Sequence, residues 1–468
     1  MPCTTILVGK KASYDGSTII ARDDDGGGDI KKLIVIENQK KEYKSVISHL
    51  KIELPDNPLS YTCVPNVNKE HGMWPSAGIN SANVAMTATE TISSNALVLG
   101  ADPYVRYKKK SRTEKEQIGG IGEEDLVAIV LPYIKSAREG VLRMAKLLKE
   151  YGTYEPNGMA FADEKEIWWL ESIGGHHWIA ARVKDDEYVV MPNQFGLDHF
   201  NLEDALGKKK NYMCSEDLKD FIEDNHLDLN IDGKFNPRLI FGSHSDQDHI
   251  YNTARAWYMC RYFNPRTYKW DGENADFTPI SDDIPWSMKP ERKISIEEVK
   301  YILSSHYQGT PYDPYNKGND PRKKMYRVIG TSGTDDLAIL QIRGYMPEKL
   351  KALEWICFSS NLFNAPIPVY TSVSRLPAYL SNVSEDISTD NFYWNSVLIN
   401  ALAEAHYDEN IQLVERYQNI MACNGHRLIN EYDQKMLIDI ICQIDPNAFI
   451  NVMPSQKVIG NFHERQYW

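Results

Sequence analysis

Apolar and polar positions change period several times along the chain, and each change marks an element. β-Branched residues on either side of Ser13-Tyr14-Asp15-Gly16 predict a hairpin, with strands over 4–8 and 18–21. Residues 33–36 predict a third strand, and 78–89 a turn followed by a strand of small residues. Between them Pro55, Pro58 and Pro65 interrupt any long element. At Glu123 the period becomes helical. Glu123, Glu124 and Asp125 fill a first turn, where acids favour the helix dipole, and apolar residues recur through Ile134. A second helix is predicted over 137–150, stopped by Gly152. The period then returns to two. Residues 158–163, 166–171, 177–183 and 188–191 predict a four-stranded meander, turning at Asp163-Glu164-Lys165 and Lys184-Asp185-Asp186.

Residues 201–250 are polar and loop-rich, 248–262 predict a helix, and Ser295 with Glu298 forms a capping box that opens another. Strands are expected again at 336–343, 354–358 and 368–373. Strands, paired helices and further strands in one span predict a single α+β layered domain over 1–468, its part 391–468 mainly helical. A doubly wound sheet does not fit this order.

The chain has 468 residues, 42% hydrophobic and 25% charged, with a net charge of -13. That balance is globular, and it argues against nucleic acid and anionic membranes as general partners. No positively charged segment followed by a long apolar run opens the chain, and the apolar run 126–134 is too short to span a bilayer. The seven cysteines are widely spaced with no CxxC, which points to a reducing, cytoplasmic setting with mostly inert core thiols. A homo-oligomer is compatible with this composition.

Phosphate-loop, HExxH and dinucleotide-binding signatures are absent. Gly26-Gly27-Gly28 reads as a turn, and Lys108-Lys109-Lys110 as a solvated loop. His176 and His177 are adjacent, so on a strand they would face opposite sides and not share a metal. His244, Asp246, Asp248 and His249 have a metal-like composition, but a structural loop is the favoured reading. Cys3 stands apart. Removal of Met1-Pro2 would give it a free α-amine, with an ordinary pKa of about 8, able to take the thiol proton and return it to a leaving group. Such a site also needs oxyanion donors and a charge to orient the amine or substrate. Arg22 and Asp25, where the second strand exits, are placed to supply that charge, and Arg22 to stabilise a thiolate.

The run from Cys3 to Thr18, with Ala21-Arg22-Asp23-Asp24-Asp25, closely resembles the start of the C69 dipeptidases. These are N-terminal nucleophile hydrolases, more distantly similar to secernins, bile-salt hydrolases and penicillin V acylases. Tyr251-Asn252-Thr253, Pro285-Trp286-Ser287 with Lys289-Pro290, and the run from His306 to Asp313 carry the likeness through most of the chain. The resemblance implies a four-layer αββα fold, cysteine-type hydrolysis of dipeptides, and no metal or organic cofactor. It also implies roles: Cys3 as nucleophile, Arg22 and Asp25 as its flanking pair, Asn193 in the oxyanion hole, and Arg255 as a superfamily arginine. The bile-salt hydrolases have a further asparagine where this chain has Glu90, with Asn80 or Asn83 as nearby alternatives. Glu90 would suit a substrate ammonium. Initiator-methionine removal alone would leave Pro2 ahead of Cys3, so further processing is expected. Two rival readings keep the fold: hydrolysis of a non-peptide N-acyl substrate, or a catalytically silent, secernin-like protein that retains Pro2.

Overall fold

Two antiparallel sheets lie face to face. The structure, a computed structural model, describes residues 3–231 and 233–444. Met1 and Pro2, and the part of the expected helical C-terminus beyond residue 444, lie outside the described residues. The chain divides into two compact units, residues 1–422 and 423–468. Among the described residues all the strands belong to the first; in the second, the helix Tyr407–Ile444 runs to its end.

Strand β1 (Cys3–Val8) and strand β2 (Thr18–Asp24) pair as the predicted hairpin, with Cys3 opposite Asp24 and Thr5 opposite Arg22. They sit in the middle of a seven-stranded sheet. Its order is Ser287–Met288, Tyr188–Met191, β1, β2, Asp336–Ile342, Ala352–Phe358 and Ile367–Tyr370. The second sheet has six strands: Tyr212–Cys214, Trp178–Val183, Ile167–Ser172, Asn157–Ala162, Ala85–Thr91 and Ala77–Ile79.

Adjacent side chains on a strand point to opposite faces, and here both faces are covered. Trp168 faces the helices Glu123–Val130 and Ala137–Tyr151, while Trp169 faces the other sheet, and both are fully buried. Leu7, Ile20, Ala338 and Leu340 of the first sheet meet Ala85, Ala160 and Ile179 of the second in one core. Each large apolar side chain buried this way contributes about 1.5–3 kcal/mol. Helices Ala254–Phe263 and Ile296–Leu303 cover the first sheet's outer face. The result is the four-layer αββα, α+β arrangement that the resemblance implied. The approach of helix to sheet is close enough to need glycine: a Cβ on Gly140 would stand 2.4 Å from the Phe161 ring.

The expected meander has three strands, not four. Tyr188–Met191 crosses to the first sheet and pairs with β1, Val8 opposite Tyr188. Period-two patterning marks a strand but does not name its partner. The crossover folds its Lys184–Asp185 turn onto Gly9, where a Cβ would lie 2.4 Å from the Lys184 carbonyl oxygen. No helix among the described residues is long and apolar enough to cross a membrane.

Candidate active site

The site lies at the open end of the hairpin, between the sheets. Because Cys3 faces Asp24 and Thr5 faces Arg22 in register, all four side chains share one face. Cys3 is fully buried. Its Sγ lies 2.8 Å from Arg22 Nη2 and 3.4 Å from Asp24 Oδ1. Arg22 Nη2 also donates to Glu123 Oε1 at 2.7 Å and to Asp24 at 3.3 Å, and Nη1 donates to the Ser76 carbonyl. Burial pushes the thiol well above its ordinary pKa, and Arg22 opposes that shift. Burial also works against the Arg22 charge, but Asp24, the thiol and Glu123 more than offset it.

The Cys3 main-chain nitrogen donates to Asn193 Oδ1 at 3.2 Å. Asn193 follows the strand Tyr188–Met191, which brings it beside β1. Its Nδ2 donates to Glu90 Oε2 at 3.4 Å. Arg255, fully buried on the helix Ala254–Phe263, knits this corner together. It donates to the Cys3 carbonyl at 2.5 Å, to Thr4 Oγ1 at 2.7 Å, and to Asn193 Oδ1 at 2.7 Å. Asn252, one turn earlier, accepts a further bond at 2.9 Å.

Glu90 reaches the cluster through a bulge. Thr87 pairs with Ala160, but Glu90 pairs with Gly158, so the strand Ala85–Thr91 carries one extra residue. Without it, position 90 would share the parity of Met86 and Ala88, which face the helices. With it, Glu90 turns between the sheets and accepts the Thr5 hydroxyl at 2.6 Å. Burial pushes its carboxyl up to about 8, with Arg22 and the Thr5 bond partly offsetting the shift.

Three residues named from the sequence stand elsewhere. Asp25 lies past the end of β2, where it pairs with Arg327 and accepts the Thr334 hydroxyl at 2.6 Å; the carboxylate touching the thiol is Asp24. Asn80 holds a turn: its Nδ2 donates to the carbonyls of Leu131 and Ile134, and its Oδ1 accepts from the amides of Ala82 and Val84. Asn83 donates to Glu348.

Asp24, Glu123 and Lys31 did not emerge from the sequence as site residues. Asp24 was legible in principle, since residues two apart on a strand share a face, and Arg22 had been identified. Lys31, fully buried, donates to Asp24 Oδ2 at 2.7 Å. In the sequence Glu123 shows only as a first-turn acid.

The Cys3 sulfur and carboxylate oxygens of Asp24 and Glu123 lie within 4.8 Å of one another, a spacing a metal ion can use. Arg22 Nη2 bonds all three, so a guanidinium already supplies the positive charge there. Elsewhere, His176 and His177 sit in a turn rather than on a strand, and both rings bond one carboxylate, Asp102, at 3.0 and 2.8 Å. His244 and His249 both face Asp282, and Asp248 caps a helix start through Ser245.

Known proteins are similar to this chain over most of its length. A dipeptidase of Bifidobacterium longum is 55% identical over 444 residues, covering 93% of this chain and 83% of that protein. Dipeptidase A of Lactobacillus helveticus is 42% identical over 444 residues, covering 93% and 88%. Among solved structures, penicillin V acylase from Agrobacterium tumefaciens aligns over 79% of this chain and 86% of its own, at 14% identity and a TM-score of 0.35. The family model for peptidase family C69 matches residues 2–420, a span that holds every residue of the cluster, and the chain belongs to that family.

Proposed function

We propose that this protein hydrolyses dipeptides, with Cys3 as nucleophile and its own α-amine as base once Met1-Pro2 has been removed. The observation that carries the reading is the pairing of contacts at Cys3: Sγ against Arg22, and the main-chain nitrogen on Asn193. One residue thus presents a nucleophile beside a fixed cation and a nitrogen beside a fixed amide.

When that nitrogen is an amine, it takes the thiol proton, and Arg22 stabilises the thiolate. The thiolate adds to the scissile carbonyl. Asn193 Nδ2, with main-chain donors, steadies the oxyanion, while Arg255 fixes the asparagine's orientation from the other side. The protonated amine hands its proton to the departing amino group, leaving a thioester on Sγ. Water, deprotonated by the same amine, hydrolyses the thioester and restores the thiol.

The substrate class is supported by the relatives named dipeptidase and by the charge around the thiol. Glu90 lies against the Asn193 amide. A carbonyl whose oxygen sits at Asn193 brings the ammonium on its neighbouring carbon to Glu90. A panel of free dipeptides and their N-acetylated forms tests this. Hydrolysis of the free forms, weak or absent on the blocked ones and lost in Cys3→Ala, is the expected result. Equal rates on blocked and free substrates would contradict the substrate assignment.

A further inference from the structure

We infer that the Asp24 carboxylate is the base that activates Cys3 when the newly made chain cuts its own Pro2–Cys3 bond. The inference rests on the N-terminal cysteine reading above. In that reading the catalytic amine is still locked in a peptide bond before processing, so the thiol needs another proton acceptor.

Asp24 is the carboxylate placed to serve. It stands opposite Cys3 in the hairpin register, with Oδ1 3.4 Å from Sγ. The other nearby acids are turned to other partners. Glu90 accepts the Thr5 hydroxyl, Glu123 bonds Arg22, Asp25 bonds Arg327 and Thr334, and Asp23 Oδ1 accepts the Thr4 amide at 2.6 Å. Lys31 completes the device. Its Nζ grips Asp24 Oδ2 at 2.7 Å, leaving Oδ1 to the sulfur and to Arg22 Nη2 at 3.3 Å, and stands 3.9 Å from Asp336 Oδ1. It is a positioning residue: it touches no reacting atom but fixes the carboxylate that does.

Burial would favour a neutral Asp24, but Arg22 and Lys31 outweigh it and hold the carboxyl well below its ordinary range. Asp24 is therefore held in its ionised, proton-accepting form, though it is weakly basic. A weak base suits a reaction that each chain performs once. The thiol proton passes to Asp24 Oδ1, and the thiolate adds to the Pro2 carbonyl carbon. The bond from that carbon to the Cys3 nitrogen breaks, and the nitrogen takes the proton back from Asp24. This leaves a thioester on Sγ and a free α-amine. Water then adds to the thioester, giving its proton to the new amine. The carbon–sulfur bond breaks, Met1-Pro2 leaves as a peptide acid, and the thiol is restored. From that point the amine replaces Asp24 as base.

The test is intact-mass analysis, over time and pH, of the full chain made in a reconstituted translation system that contains no peptidases. The wild type is expected to lose Met1-Pro2 spontaneously. Asp24→Asn should slow that loss on the order of 100-fold or more, and Asp24→Glu should restore part of it. Lys31→Met should move the acid limb of the processing rate to higher pH. The groups then facing Asp24 are Arg22, Cys3, Glu123, Asp335 and Asp336, and only Arg22 is a cation among them. A purely structural role for Lys31 would lower the rate without moving the limb. Thermal melting establishes that each variant is folded; should Asp24→Asn fail to fold, the Lys31→Met profile decides. Wild-type processing speed in folded Asp24→Asn, an unmoved limb in Lys31→Met, or a wild-type chain that keeps Met1-Pro2 in the purified system would overturn the inference. A chain released from a fusion so that it starts at Cys3 separates the two claims. If it hydrolyses dipeptides while the encoded chain never cuts itself, only this inference fails; if it is inert, the dipeptidase reading fails.

Discussion

Arg22 Nη2 lies 2.8 Å from the Cys3 sulfur and 2.7 Å from Glu123 Oε1, so one guanidinium nitrogen joins the nucleophile's strand to a helix packed on the opposite sheet. Its charge opposes the rise that burial imposes on the thiol. Arg22→Gln should therefore raise the thiol pKa and shift the acid limb of kcat/KM to higher pH. The expected loss in kcat is on the order of 100-fold, as for other fixed charges aimed at a reacting atom. A pH–rate profile of a folded variant checks both. An unshifted acid limb would mean that Arg22 only braces the fold.

Asn193 bonds the Cys3 nitrogen through its oxygen and Glu90 through its nitrogen. Asn193→Ala removes the oxyanion donor and should lower kcat by about 100- to 1,000-fold. KM should change little, since the donor acts on charge that develops only in the transition state. Steady-state kinetics that put the loss mainly in KM would move Asn193 from catalysis to ground-state binding.

Glu90 gives a pH-dependent prediction with a definite sign. Its carboxyl, raised to about 8 by burial, is mostly protonated at neutral pH in the free enzyme. A bound ammonium favours the charged form, so binding expels a proton. KM for dipeptides should fall as pH rises from about 6 toward 8. Glu90→Gln should raise KM about tenfold at pH 8 and flatten that dependence. A KM that tracks pH equally in both proteins would remove Glu90 from ammonium binding.

Away from the site, Asp102 accepts the main-chain amides of His176 and His177 and bonds both rings. Burial acts to raise its pKa, but these bonds outweigh it and hold the carboxyl below its ordinary range. Its stabilisation is therefore present above about pH 4 and lost as pH falls below it. His176 is raised, chiefly by its bond to Asp102, and contributes in the opposite sense, lost as pH rises through its folded value. Its ring is nearly half exposed, so that part is small. Asp102→Asn should cost about 1–3 kcal/mol at pH 7, and the gap to wild type should be narrower at pH 3. Urea denaturation at the two pH values measures it.

What the sequence disclosed followed its local rules. The hairpin was legible because β-branched runs flank an Asp-Gly turn, and the helix over 137–150 because Gly152 stops it. Partner choice was not: nothing in 188–191 says that this strand leaves the meander for β1. At the site, Cys3, Arg22, Asn193 and Arg255 gather in one buried cluster. The resemblance carries the flanking role to Asp25, and the period-two pattern ends the second strand at Ala21, short of Asp24. The strand runs on to Asp24, which keeps the parity of Arg22. Glu90 turns inward through a bulge that period-two reading cannot see, and Glu123 meets Arg22 only after the sheets stack.

The central claim is that Cys3, as the first residue of the mature chain, is the nucleophile. The most direct measurement is intact mass of the purified protein together with dipeptide hydrolysis, for wild type and Cys3→Ala. The account predicts a wild-type chain that begins at Cys3 and hydrolyses dipeptides, and a folded Cys3→Ala chain that retains Pro2 and hydrolyses none. Undiminished hydrolysis by Cys3→Ala, or full activity in a wild-type chain that still carries Pro2, would contradict it.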